Sequence, residues 1–176
     1  MYYFDNSVIA TYLSLLFLLS IFAINRMQLA RAGRKLKNTP PKNPEQWPKV
    51  LIQVPLYNEQ YVASRVIDAV CKIEYPGFLS IQILDDSTDN TSSIVKKSVE
   101  KWQNQNKNIW HLQRTNRTGF KAGALENGLK VDPDNCELVA IFDADFLPES
   151  DFLLKLTPHF QDSKVGVVQA RWAYIN

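Results

Sequence analysis

The chain has 176 residues, 45% of them hydrophobic, and a formal net charge of +2, which allows one domain of ordinary size besides a membrane segment. The charge is uneven, because residues 1–49 hold seven Lys/Arg against two Asp/Glu and residues 50–176 hold thirteen against sixteen. The larger part lacks the concentrated basic face of a nucleic-acid binder, so nucleic acid is excluded as a partner. Cys71 and Cys136 have neither C-x-x-C spacing nor a nearby histidine, which excludes a zinc site or a disulfide framework and predicts buried thiols.

An uncharged run of 17 residues covers positions 8–24, slightly fewer than the roughly 20 that typically span a bilayer. A cleaved signal peptide is disfavoured, because a basic n-region and a small-x-small site are missing. A buried core helix would leave the basic residues after the run unexplained. We therefore expect a retained transmembrane anchor, with the downstream domain on the cytoplasmic side. The basic residues that set this orientation are Arg26, Arg31, Arg34, Lys35 and Lys37.

Residues 25–48 are predicted to be a basic juxtamembrane and proline-rich linker, because four prolines between positions 40 and 48 disfavour a helix. A globular domain is expected over residues 49–176. Its apolar patterns predict strands at 50–54, 81–84, 109–112, 138–142 and 165–170, and helices at 62–73, 94–102, 120–129 and 151–156. This alternation predicts an α/β fold with a mostly parallel sheet covered by helices on both faces.

Polar or charged residues follow each of the first four predicted strands. Ligands of parallel α/β sheets bind at the carboxyl ends of the strands. The loops after these strands are therefore expected to converge on one crevice. They comprise residues 55–59, 85–87, 114–121 and 143–145.

Asp143 and Asp145 lie two residues apart at the end of an apolar strand. In an extended chain such residues project to the same side, with Cα atoms roughly 7 Å apart. Two carboxylates this close repel each other unless a cation lies near them. Magnesium or manganese accepts carboxylate oxygens and keeps positions for the phosphates of a nucleotide diphosphate. The pair therefore indicates a divalent-metal site, with a solvated acidic turn as the alternative.

Asp85 and Asp86 directly follow the second strand. Adjacent strand residues alternate in direction, so one carboxylate is expected to face the crevice while its neighbour fixes the loop. Either is able to accept hydrogen bonds from a base or a ribose. Helix capping nearby, by Asp89 or Asn90, is the structural alternative. Lys121 adds positive charge to a helix N-terminus that favours phosphate, its alternative being a solvated surface lysine.

Other catalytic patterns are missing from the sequence. It holds neither a G-x-x-x-x-G-K-[ST] phosphate loop nor a G-x-G-x-x-G turn. His111 and His159 are interpreted as structural.

Taken together, five segments closely resemble the inverting family 2 glycosyltransferases. Within that family they look most like the cellulose-synthase-like enzymes that make mannan, glucomannan or xyloglucan backbones, and like their bacterial relatives. The resemblance runs from about residue 49 to the end of the chain. Its segments are residues 54–59 (VPLYNE), 83–89 (ILDDSTD), 117–125 (RTGFKAGAL), 142–146 (FDADF) and 168–172 (VQARW).

The resemblance implies a GT-A fold, a UDP- or GDP-sugar donor, a Mg or Mn ion, and a glycan or lipid-linked acceptor. Asp86 and Asp145 are implied as catalytic. Asp143 and Asp145 are implied as metal ligands, with Asp145 the stronger candidate. The residues implied in nucleotide-sugar binding are Pro55, Tyr57, Glu59, Asp85, Asp86, Lys121 and Asp143.

Members of the family carry a further carboxylate as general base and a later Gln-x-x-Arg-Trp motif. The chain ends before either, and residues 169–172 are one residue too short to be that motif. We therefore expect a portion that binds donor without efficient transfer. Two alternatives stay open: a transferase that glycosylates a lipid, and a membrane-tethered receiver-like or metal-binding module without transferase activity.

Overall fold

The structure, a computed structural model, describes residues 6–35, 41–114 and 116–171. The chain divides into two compact units, Met1–Pro40 and Pro41–Asn176. In the first unit, helix α1 covers Asn6–Lys35, which extends well beyond the predicted run of 8–24. The helical segment over residues 6–33 is long enough and apolar enough to cross a membrane. The hydroxyls of Thr11, Ser14 and Ser20 donate to carbonyls four residues earlier in the helix, at 2.8–2.9 Å, so this helix satisfies these polar groups internally.

The second unit is built on a four-stranded sheet of order β3-β2-β1-β4, in which all the strand pairs are parallel. Its helices are α2 (Ala63–Cys71), α3 (Thr91–Gln103), α4 (Phe120–Lys130) and α5 (Phe152–Leu156), followed by a 3-10 turn at Thr157–Gln161. Its strands are β1 (Val50–Leu56), β2 (Leu79–Asp85), β3 (Ile109–Gln113) and β4 (Leu138–Ile141). This confirms the predicted parallel α/β architecture.

The two faces of the sheet are covered by different helices. Ile52 and Val54 belong to the apolar core that also contains Val66 of α2 and Val95 of α3. Side chains alternate between the two faces of a strand, so Gln53 points to the opposite face, where its amide contacts the backbone of α4. The sheet is thus a middle layer between α2 and α3 on one side and α4 on the other.

A buried pair of glutamines joins α4 to the sheet. Gln53 Nε2 donates to Gln82 Oε1 at 3.0 Å and to the Leu125 carbonyl at 3.2 Å. Gln82 Nε2 donates to the Gly128 carbonyl at 3.0 Å. A Cβ on Gly128 would lie 2.5 Å from Gln53 Nε2. Glycine is therefore required where the helix approaches these amides, and the pair fixes α4 above β1 and β2.

Two strand predictions differ from the structure. The first strand continues through Pro55 to Leu56. Strand β4 pairs with β1 only as far as Gln53, so the N–H that Pro55 lacks would have had no partner on β4 and its absence removes no ladder hydrogen bond. The predicted strand at 165–170 is wrong. These residues pair with none of the four strands, and Val167 is 85% exposed, so an apolar pattern without a neighbouring strand produces no ladder.

Candidate active site

A cleft of about 480 Å³ opens where β1, β2 and β4 end and α4 begins. It brings together seven of the eight site residues predicted from the sequence, and the eighth, Asp85, does not line it. Asp86 of the first acidic pair and both members of the second therefore meet at one edge of the sheet, as the strand-end rule predicts. The seven are Pro55, Tyr57, Glu59, Asp86, Lys121, Asp143 and Asp145.

Asp85 is buried, with 2% of its surface exposed. One carboxylate oxygen accepts the Ser87 backbone N–H at 2.9 Å, and the other lies 2.9 Å from His111 Nε2 and 3.2 Å from Gln113 Nε2. Burial by itself raises the pKa of Asp85, but hydrogen bonds from His111, Ser92 and Ser87 outweigh burial and lower the pKa to about 2. Asp85 is thus the carboxylate that fixes the loop.

Asp86 is the carboxylate that faces the cleft, and Arg114 holds it. Arg114 Nε donates to Asp86 Oδ1 at 2.9 Å, and Nη2 donates to Oδ2, so the two side chains form a bidentate pair. The hydrogen bond to Asp86 raises the pKa of Arg114. The same guanidinium donates to the carbonyls of Thr118 and Phe120, at 2.9 and 3.1 Å. Arg114 therefore links the end of β2 to the start of α4.

The loop after β1 is tied to the loop after β2. The Asn58 backbone N–H donates to Ser87 Oγ at 2.9 Å, and the Thr88 N–H donates to Asn58 Oδ1 at 2.9 Å. Asn58 has φ of 57°, a left-handed conformation that asparagine tolerates. These bonds place Tyr57 and Glu59 at the mouth of the cleft.

The start of α4 requires an unusual backbone. Gly119 and Phe120 have φ of 74° and 50°, and a Cβ on Gly123 would lie 2.1 Å from the Thr118 carbonyl oxygen. This tight turn places Lys121 in the cleft, where Nζ forms an ion pair with Asp143. Lys121 therefore lies in the cleft, as predicted.

Asp143 and Asp145 lie on a turn rather than in an extended strand, because β4 ends at Ile141 and the Phe146 N–H donates to the Asp143 carbonyl at 3.0 Å. Asp145 is exposed and makes no ion pair or hydrogen bond with the described residues. Within residues 6–35, 41–114 and 116–171, no group of three His, Cys, Asp or Glu side chains is arranged to hold a metal. Two carboxylates fit a Mg²⁺ or Mn²⁺ ion that completes its coordination with phosphate and water.

Sequence reasoning missed Arg114, Arg117 and Gln113, and it assigned His111 only a general structural role. Arg114 and Arg117 lie in the loop after β3, which the strand-end rule predicts to reach the crevice. Their position in that loop was the signal that could have identified them. His111 and Gln113 alternate along β3 and reach Asp85 only because β3 pairs with β2.

His159 lies in the 3-10 turn and does not line the cleft. Cys71 is buried and Cys136 half-buried, and burial raises the pKa of these thiols to about 12 and about 11.

Residues 51–176 match the family model for glycosyl transferase family 2. The chain belongs to this family. The match confirms the resemblance found in the sequence motifs.

Similar proteins include two named as glucomannan mannosyltransferases. Over 74% of its length, the chain is 46% identical to the probable glucomannan 4-beta-mannosyltransferase 11 of Oryza sativa, of which it covers 24%. Over 75% of its length, it is 44% identical to glucomannan 4-beta-mannosyltransferase 1 of Cyamopsis tetragonoloba, of which it covers 26%. The chain therefore spans about a quarter of the length of these relatives.

A solved structure shares the fold. The mannosyltransferase PcManGT of Pyrobaculum calidifontis, solved in complex with GDP-Man and Mn²⁺, superposes with a TM-score of 0.71 and 30% identity. The superposition covers 86% of this chain and 44% of that one. This likeness confirms the GT-A fold class that the resemblance implied.

Proposed function

We propose that this protein transfers mannose from GDP-mannose to a β-linked glycan, with inversion at the anomeric carbon, and that the cleft binds the donor diphosphate with a divalent metal. The observation that carries the proposal is the convergence of Asp86, Lys121, Asp143 and Asp145 on one cleft in a family 2 domain. The mannosyl donor is supported by the relatives named for glucomannan synthesis and by GDP-Man in PcManGT. The same relatives favour a glycan over a lipid acceptor.

The metal would be held by Asp145, with Asp143 beside it. A divalent cation held there would supply positive charge for the leaving diphosphate. Asp145 is the stronger ligand of the two, because it is exposed and unpaired among the described residues, whereas Asp143 is already paired with Lys121. Lys121 lies near the diphosphate at the N-terminal end of α4, where the helix dipole favours anions.

Asp86 holds the ribose or base of the donor. Its bidentate pair with Arg114 fixes the orientation of the carboxylate and leaves further lone pairs to accept hydroxyl or N–H donors. Tyr57 and Glu59 line the nucleotide end of the cleft, next to Pro55. The carboxylate of Asp85 is occupied by His111, Gln113 and Ser87, so Asp85 fixes the loop that carries Asp86. The sequence-derived role of Asp85 in direct nucleotide contact is therefore replaced by positioning.

Helix α1 is proposed as a membrane anchor with the GT-A domain in the cytoplasm. The support is its length and apolar composition and the basic residues that follow the apolar run, which favour the cytoplasmic side. The proposed division is an anchor at 8–24, a basic and proline-rich linker at 25–48 and a donor-binding domain from residue 49.

Metal-dependent nucleotide binding tests the proposed function. We expect isothermal titration calorimetry of the chain in detergent to detect GDP binding with Mn²⁺ and much weaker binding in EDTA. Asp145→Ala is expected to lower GDP affinity in Mn²⁺ by about tenfold or more, a change of roughly 1.4 kcal/mol. Glu100→Ala is the matched control, because it removes an exposed carboxylate from α3, away from the cleft. GDP binding that is insensitive to EDTA and to Asp145→Ala would contradict the proposal.

A further inference from the structure

The charged residues of the cleft are not all paired with each other. Asp86 is neutralised by Arg114, and Asp143 by Lys121. Among the described residues, Glu59, Asp145 and Arg117 line the cleft without an ionic partner. Two free carboxylates favour entry of a divalent cation. An anion that accompanied that cation would need a positively charged partner in the cleft.

Arg117 has the properties of an anion receptor. Its guanidinium carbon lies 3.2 Å from the centroid of the Tyr57 ring and 5.2 Å from that of Phe120. Stacking on a ring uses the face of the guanidinium and leaves its N–H donors, which lie in the plane, unused. No described residue accepts a hydrogen bond from them. Arg117 is thus oriented by Tyr57 while its donors remain available.

The backbone turn that holds Arg117 in this position is strained. The Phe120 N–H donates to the Arg117 carbonyl at 3.0 Å, which closes a turn over residues 117–120. Phe120 has φ of 50° in that turn and is 67% exposed. The left-handed region is an outlier for a bulky residue, and an exposed ring gains little burial to offset it. This turn carries Arg117 toward Tyr57 and Lys121 into the cleft.

We propose that Arg117 binds the donor's diphosphate through its guanidinium, and that Tyr57 holds the guanidinium in the orientation to do so. This assignment rests on the proposed function. Lys121 and Arg114 each already pair with a carboxylate, so Arg117 is the cation without an ionic partner among the described cleft residues. A guanidinium binds two phosphate oxygens at once. The metal on Asp145 and the guanidinium of Arg117 would then share the charge of the leaving group.

The test compares nucleotides that differ by one phosphate. Dissociation constants for GDP and GMP are measured by calorimetry in Mn²⁺, with the 176-residue chain in detergent. Arg117→Ala is expected to weaken GDP binding by about tenfold or more, because a charge-assisted bidentate contact is lost, while GMP binding changes much less. Arg65→Ala, which removes an exposed arginine of α2 outside the cleft, is expected to leave both constants unchanged. Tyr57→Ala removes the stacking ring and is expected to weaken GDP binding more than GMP binding, as Arg117→Ala does.

Three results would overturn the assignment. These are unchanged GDP affinity in Arg117→Ala, an equal loss for GDP and GMP in that variant, and unchanged GDP affinity in Tyr57→Ala. Circular dichroism of each variant confirms that the domain is folded. If the wild type itself shows no Mn²⁺-dependent GDP binding, the proposed function fails and the assignment fails with it. Normal wild-type binding with unaffected Arg117→Ala contradicts the assignment alone.

Discussion

Adjacent aspartates of the same loop have opposite environments in this protein. Asp85 is buried and accepts hydrogen bonds from β3 and from the loop that follows it. Asp86 lines the cleft and forms a hydrogen-bonded ion pair with Arg114. The chemistry of the two side chains is identical. Their roles differ because consecutive residues at the end of a strand point in opposite directions, so each has a different set of partners.

The buried position of Asp85 predicts a pH-dependent stability. Its pKa is about 2 in the folded chain and about 3.9 when unfolded. The ionised carboxylate therefore contributes about 2 kcal/mol to the free energy of unfolding above pH ~4, and this is lost as the pH falls to about 2. Urea unfolding of the wild type and Asp85→Asn should show a difference at pH 7 that shrinks over this window. Glu45→Gln, which changes an exposed carboxylate, should follow the wild type at every pH. A constant difference down to pH 2 would contradict the prediction.

Gly123 is predicted to tolerate no side chain. In Gly123→Ala the new Cβ would lie 2.1 Å from the Thr118 carbonyl oxygen and 2.8 Å from Arg114 Nη1, so the turn before α4 must move. We expect a loss of about 1–3 kcal/mol in the free energy of unfolding and weaker GDP binding. Gly166→Ala is the control, because nothing lies within 4 Å of its added Cβ. Equal stabilities in the two variants, measured by denaturant unfolding, would show that the turn adapts.

At the scale of elements, α4 depends on polar rather than apolar contacts. Its buried residues are Ala124 and Gly128, and the Gln53 and Gln82 amides supply hydrogen bonds to its backbone. Small residues allow the helix to approach the sheet closely. Directional bonds then fix its position more sharply than apolar packing alone. The helix carries Lys121 at its first turn, so this attachment also sets the geometry of the cleft.

Removing one amide is predicted to loosen α4. Gln82→Ala leaves the Gly128 carbonyl without its donor and deprives Gln53 Nε2 of one of its two acceptors. Buried polar groups without partners cost about 1–3 kcal/mol, so the free energy of unfolding should fall by about that amount. Hydrogen exchange should increase in α4 more than in α3. Gln105→Ala is the control, because Gln105 is exposed and makes one 3.5 Å bond within its own helical region. Unchanged exchange in α4 would mean that packing alone holds it.

At the scale of the whole molecule, the chain combines a long apolar helix with an α/β domain that has its own core. Apolar side chains of α1 are exposed along its length, whereas the domain core consists of residues from Val50 to Leu153. An exposed apolar helix of this length is stable in lipid and unfavourable in water. The two units therefore suit different solvents.

Deleting residues 1–40 is predicted to separate these properties. The remaining chain, 41–176, keeps the whole core cluster, so it should fold, appear in the soluble fraction and retain Mn²⁺-dependent GDP binding. The complete chain should sediment with membranes and resist extraction by high salt and by carbonate, because its attachment is apolar. Fractionation followed by immunoblotting measures both. A complete chain released by high salt, or a deletion variant that stays with membranes, would contradict the proposed anchor.

Local patterns in the sequence already specified much of the fold and of the cleft. Alternating apolar periodicities marked four strands and their helices, because burial of one face repeats every two residues in a strand and about every 3.6 in a helix. The parallel pairing followed from the strand-helix alternation. The strand-end rule placed Lys121 and Asp143 in one crevice, although 22 positions separate them in the sequence. The motifs around these residues identified the family.

Tertiary structure decided what depends on partners distant in the chain. Which aspartate of the 85–86 pair faces the cleft is set by His111, Gln113 and Arg114, which reach that loop only because β3 pairs with β2. The apolar run at 165–170 forms no strand, because strand formation requires a neighbour as well as a pattern. Gln53 is a polar interruption of the apolar pattern in the sequence, yet it is fully buried, because Gln82 and the backbone of α4 accept hydrogen bonds from its amide. Such assignments require coordinates, since hydrogen bonds between distant residues leave no periodic trace in the sequence.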